Sequence, residues 1–249
     1  MTDRRAYPAA LRVAITGGTS GLGLALAEQW LARGAQVAFV ARDALRVARV
    51  AARLRGSHGI VGDVADKAQI HRIALQVTGS LGGLDVLVNN ASSLGPVPLR
   101  LLADTDCEDL QAALATNLLG PFRLTKALLG ALAASAREGR GAVVLNVSSD
   151  AALTPYAGWG AYGSSKAALH QLSRIWHEEL QAEGVRVLSR DPGDMDTPLH
   201  AAAVPGADPA GLKRPAVAAR ELADAIAAAL PHGTPAGAQP AGRARGAAA

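Results

Sequence analysis

The chain has 249 residues, a formal net charge of +4, 49% hydrophobic and 3% aromatic residues, and one cysteine, Cys107. That length suffices for one large α/β domain or two small ones around an aliphatic, alanine-rich core, and a lone cysteine excludes an internal disulfide and suits a reducing compartment. Arginines are interleaved with acids and no aromatic residues alternate with them, which argues against a nucleic-acid partner, and the apolar runs break before the roughly 20 residues of a membrane span.

The opening MTDRRAYPAA lacks an apolar block with a cleavage site, so no signal peptide is expected and a cytoplasmic location is. Leu11–Thr16 reads as a first strand, followed by a glycine-rich turn and a helix that stops at Gly34. AQVAFVA reads as a second strand, DALRVARVAARLRG as an arginine-faced helix, HGIVGDV as a third strand and LDVLVNN as a fourth, with a helix between the last two. A helical region from Asp106 to Arg137 is expected to be interrupted near Gly120–Pro121. GAVVLNVSS is a fifth strand, Gly163 to Gly184 a long helix, and VRVLSRDPG a sixth strand. Apolar strands alternating with helices predict a single doubly wound Rossmann-type α/β domain, with a mostly parallel sheet covered on both faces. The domain is placed at residues 11–231, with an N-terminal arm at 1–10 and a disordered Gly/Pro/Ala-rich tail at 232–249.

TGGTSGLG, Thr16–Gly23, sits between the first strand and first helix. Its glycines, Gly17, Gly21 and Gly23, allow a tight turn and close approach of backbone N–H groups to a pyrophosphate, with Thr19, Ser20 and Leu22 completing the loop. No Lys-Ser/Thr pair follows, so this is not a nucleoside-triphosphatase loop. The second strand ends in Ala41-Arg42, where an NAD site would carry an acid. A guanidinium there suits a 2′-phosphate, so NADP(H) is expected over NAD(H). Asp63 and Val64, after the third strand, are candidates for the adenine.

In order and spacing, TGGTSGLG, GDV, VNNAS, TNLLG, NVSS, YGSSK and DPGDMDT resemble the short-chain dehydrogenase/reductase family from about Val13 to Thr197. The resemblance implies NAD(P)-dependent interconversion of a carbonyl and an alcohol on a small molecule. It selects Ser149, thirteen positions before Tyr162, as the catalytic serine, and Asn117 as the asparagine that kinks a helix and binds a water linking Lys166 to solvent. Tyr162 is then the general acid/base. Lys166, four residues on, shares its helix face, and a nearby ammonium is expected to lower the phenol pKa from its usual value of about 10 toward the working range. Asn90, Ala91, Pro192, Gly193 and Thr197 are implied at the cofactor, with Asn89 and Asn90 bracing the sheet.

Several positions depart from the family pattern. Ser92 stands where glycine is usual, Asp150 follows the catalytic serine, and a final strand is weak or absent. A polar or cationic substrate region involving Asp150, Asp194 or His200 is expected, with Tyr156 and Trp159 as walls and residues 194–215 as a lid. No histidine spacing suggests a metal. A homodimer or homotetramer is expected, a dimer pairing through Leu118–Ala134 and Lys166–Leu180. The reading from a different class is a catalytically silent dinucleotide-binding regulator of the same fold.

Overall fold

The computed structural model describes residues 10–231, so the expected tail and nearly all of the expected arm lie outside the described residues. Six strands, β1 (Arg12–Thr16), β2 (Gln36–Ala41), β3 (Ser57–Val61), β4 (Val86–Asn89), β5 (Ala142–Val147) and β6 (Val185–Arg190), form one parallel sheet in the order β3-β2-β1-β4-β5-β6. Eight helices flank or extend it: α1 (Gly21–Ala32), α2 (Ala44–Arg53), α3 (Ile70–Leu81), α4 (Cys107–Leu114), α5 (Gly120–Arg137), α6 (Gly160–Leu180), α7 (Pro198–Ala203) and α8 (Pro215–Ala229). The chain is a doubly wound Rossmann-type α/β fold, and among the described residues no seventh strand follows α8.

The inner strands are apolar on both faces because helices cover both, whereas the edge strands β3 and β6 expose part of their length. In β1, Val13 and Ile15 join a cluster with Trp30, Leu222 and Ile226 from α1 and α8. Ala14, between them, points into the opposite cluster with Ile73, Leu128 and Leu132 from α3 and α5. The strand order reverses between β1 and β4, which opens a crevice at their carboxyl ends.

The opposite end of the sheet is pinned by a buried charge. Asp85 has no exposed side-chain surface, and Arg12 and Arg140 bind its two oxygens at 2.7 and 2.6 Å. Ser135 and the Arg12 backbone N–H also donate to it. Although burial opposes ionisation, these donors hold the Asp85 carboxyl well below the usual carboxylate range.

The interruption of the long helical region falls earlier than expected. A π-helical turn at Ala115–Leu119 separates α4 from α5, and Gly120–Pro121 are the first residues of α5. Proline is tolerated there because the first turn lacks intrahelical N–H partners anyway. The long helix α6 likewise begins at Gly160, three residues before Gly163, and so places Tyr162 inside its first turn.

Candidate active site

The cleft above the carboxyl ends of β1, β4, β5 and β6 has a volume of about 670 Å³. Almost every residue singled out from sequence lines it: the glycine loop from Gly17 to Leu22, Arg42, Asp63, Val64, Asn90, Ala91, Ser149, Asp150, Trp159, Tyr162, Lys166, Pro192, Gly193, Asp194, Thr197 and His200. Gly23, Asn117 and Tyr156 stand behind or beside that lining.

At the dinucleotide end, Gly17 adopts φ +70°, a left-handed conformation that favours glycine. A Cβ on Gly23 would strike the Gly17 carbonyl and the Asn90 amide. Asn90 Nδ2 in turn donates to Thr16 O at 2.9 Å, and Thr16 Oγ1 accepts from the N–H groups of Asn90 and Ala91. The loop is therefore a fixed cradle of backbone groups at the start of α1, a geometry that fits a pyrophosphate. Asp63 is fixed by accepting from Ala65 N–H. On the β2 side, Asp43 caps α2 by accepting from Arg46 N–H, and Arg46 joins Arg42 at the rim. Arg46 was missed in the sequence, although its position one helical turn beyond Arg42 was the available signal.

At the other end, Tyr162 and Lys166 are both buried on α6. Lys166 Nζ donates to Val147 O at 2.8 Å and lies 5.5 Å from the centre of the Tyr162 ring. Here the expectation of a lowered phenol pKa fails. Burial pushes Tyr162 up to about 12, and burial pushes Lys166 down to about 8, with Asp191 opposing the latter shift. Burial disfavours both charged forms, and the hydrogen bonds from Ser149 and Ser92 that would lower the phenol do not offset it. Tyr162 is thus a neutral phenol at neutral pH, able to donate a proton.

Asn117 lies in the π turn, fully buried. Its Oδ1 accepts from Ser93 N–H and Ser92 Oγ, and its Nδ2 donates to Ser93 O and Ser165 Oγ. The amide is saturated, so any water it holds would have to bind the backbone that the π turn loosens. Ser92 occupies its glycine-like position without a positive φ. Behind it, a buried ladder runs from Thr125 through Asn89 and Asn146 to Ser173, joining α5, β4, β5 and α6.

Trp159 packs edge-on to Tyr162 at 5.7 Å, and Tyr156 tilts against Trp159 at 6.4 Å. Ala202 and Ala203 of α7 pack on a cluster of Leu94, Ala151 and Tyr162, so α7 lies over the site. Thr197 caps α7 by accepting from His200 N–H, and His200 Nε2 is 3.9 Å from Asp194. The lining residues Leu94 and Val97 carried no sequence signal.

A parallel crossover sheet, a glycine cradle at its switch point and a buried Tyr-Lys pair beside it define an NAD(P)-dependent dehydrogenase or reductase. The chain belongs to the short chain dehydrogenase family, whose model matches residues 12–207. It is 36% identical to a serine 3-dehydrogenase of Agrobacterium fabrum over 187 residues, covering 74% of this chain and 72% of that protein. It is 32% identical to the 2-(R)-hydroxypropyl-CoM dehydrogenase of Xanthobacter autotrophicus over 194 residues, 76% of each. A short chain dehydrogenase of Burkholderia cenocepacia, solved in complex with NADP, superposes with a TM-score of 0.77 at 28% identity over 87% of this chain and 90% of that one.

Proposed function

We propose that the protein interconverts a carbonyl and an alcohol on a small molecule, with Tyr162 as general acid/base and NADP(H) preferred over NAD(H). The observation that carries this reading is the convergence of Ser149, Tyr162 and Lys166 on one wall of a cleft whose other end is a dinucleotide cradle. NADP(H), when bound, supplies or accepts the hydride. Gly17–Gly23 would hold its pyrophosphate, Arg42 with Arg46 its 2′-phosphate, and Asp63 its adenine. Tyr162 gives its proton to the carbonyl oxygen in reduction and recovers it from the alcohol in oxidation. Lys166 places a fixed cation under the phenol, and Ser149 orients the reacting oxygen. α7 and the walls Trp159 and Leu94 exclude water, and residues 194–215 act as the lid.

The serine 3-dehydrogenase relative makes small hydroxy acids, L-serine among them, natural first probes alongside ketones and β-keto esters. Ile175 of α6 and Leu119, just before α5, are exposed apolar side chains, which supports pairing of two copies through these helices. Turnover of such a panel with NADPH and NADP⁺, and its loss by a factor of about 10²–10⁴ in Tyr162→Phe with cofactor affinity kept, is the expected result. A wild-type protein that binds cofactor but turns over nothing would point instead to a silent regulator. A lower Michaelis constant for NADH than for NADPH would remove the assigned role of Arg42.

A further inference from the structure

Asp150, the residue after the serine, does not present a free carboxylate to the cleft. Ser149 Oγ donates to its Oδ1 at 2.9 Å, Tyr156 donates to its Oδ2 at 2.7 Å, and Ala151 N–H donates to Oδ1 at 2.7 Å. The hydrogen bond from Tyr156, then that from Ser149, hold its pKa below the ordinary carboxylate value. An ionised carboxylate only accepts, and a serine hydroxyl has only one proton to give. With that proton committed to Asp150, and one lone pair of Ser149 Oγ taken by Ala151 N–H at 3.2 Å, the serine has one lone pair left, on the side of the cleft and of the Tyr162 hydroxyl with which it also interacts.

We propose that Asp150 is a positioning residue that sets the hydrogen-bond polarity of Ser149, turning the serine into an acceptor and biasing ground-state binding toward the alcohol over the carbonyl. The inference rests on the oxidoreductase reading above. An alcohol bound there accepts from the neutral Tyr162 phenol and donates to Ser149, whereas a carbonyl accepts from Tyr162 and finds no donor in Ser149. The overall equilibrium fixes the ratio of the two kcat/KM values. The bias must therefore appear in the binding constants, with compensating changes in kcat.

The substitution that releases the serine proton is Asp150→Ala, which removes the oxygen that accepts it and leaves that proton free for a carbonyl. With ethyl acetoacetate and ethyl 3-hydroxybutyrate as probes, the ratio of ketone to alcohol inhibition constants should fall on the order of tenfold in Asp150→Ala, the worth of one exchanged hydrogen bond. It should stay unchanged in Tyr156→Phe, which leaves the Ser149–Asp150 bond in place. Equal changes in both constants, or none, with an unaltered melting temperature would overturn the proposal. A neutron structure of the deuterium-exchanged wild-type protein reads the same point without turnover. A deuteron between Ser149 Oγ and Asp150 supports the assignment, and one directed at Tyr162 overturns it. If the wild-type protein turns over no substrate, the oxidoreductase reading fails, and the deuteron still decides what Asp150 does to Ser149.

Discussion

That Tyr162 and Lys166 share a helix face was legible from their spacing of four, and their role from the order of the motifs around them. Their ionisation was not, because it depends on how much water the folded site excludes. Lys166 offers the cleaner test. Its folded pKa, about 8, lies below the unfolded value of about 10.4, so below pH 8 both states are protonated and the burial penalty is present in full. Between about pH 8 and 10.4 the folded state sheds its proton first, and the penalty of about 3 kcal/mol is progressively relieved. Urea titrations should therefore show wild-type stability rising relative to Lys166→Met across that window. A difference that stays flat from pH 7 to 10 would mean that Lys166 keeps its ordinary pKa in the fold. Leu94 and Val97 show the complementary limit: each lines the cleft only because separate segments are brought together by the fold.

At the level of elements, the succession of strands and helices could be read from apolar runs and glycine stops, and the doubly wound class followed from crossover geometry. The π turn at Ala115–Leu119 could not be read, because it adds a residue to a helix without any proline or glycine of its own. Gly120 and Pro121 drew the expected break one turn too late for that reason. The glycine loop is the opposite case, its sequence stating its geometry directly. Gly23→Ala would push a methyl group into the Gly17 carbonyl and the Asn90 amide, neither of which is a flexible chain end. Binding of NADP⁺, followed by calorimetry, should weaken by at least about tenfold, the equivalent of about 1.4 kcal/mol. Unaltered affinity would show that the loop shifts freely and is not the fixed cradle described above.

Across the whole molecule, chemistry sits at the carboxyl edge of the sheet and the buried charge at the amino edge. Asp85 joins Arg12, Ser135 and Arg140, residues of β1, α5 and the turn before β5. Asp85→Asn leaves two partly buried guanidinium groups without their counter-charge, and should cost about 3–5 kcal/mol of stability by denaturant unfolding while leaving the cleft intact. Because the folded carboxyl titrates below its unfolded counterpart, its contribution is present in full above the ordinary carboxylate range and is lost as pH falls through the folded value. A variant as stable as the wild type at pH 7 would show that the arginines find solvent instead.

After β6 the chain makes an excursion over the cleft whose two ends meet before α8. Met195 pairs in parallel with Lys213, Asp196 N–H bonds Lys213 O, Lys213 N–H bonds Asp194 O, and Lys213 Nζ donates to Pro192 O and Glu221. Departure and return are thus buckled together beneath the excursion, whatever residues it contains. A graft of the segment corresponding to Thr197–Leu212 from the serine 3-dehydrogenase should therefore alter which alcohols are accepted while the melting temperature holds. Unfolding of that chimera would show that the excursion is welded to the core. If it is a cassette, the range of alcohols can change by exchange of one short segment, with the proton-transferring wall left untouched.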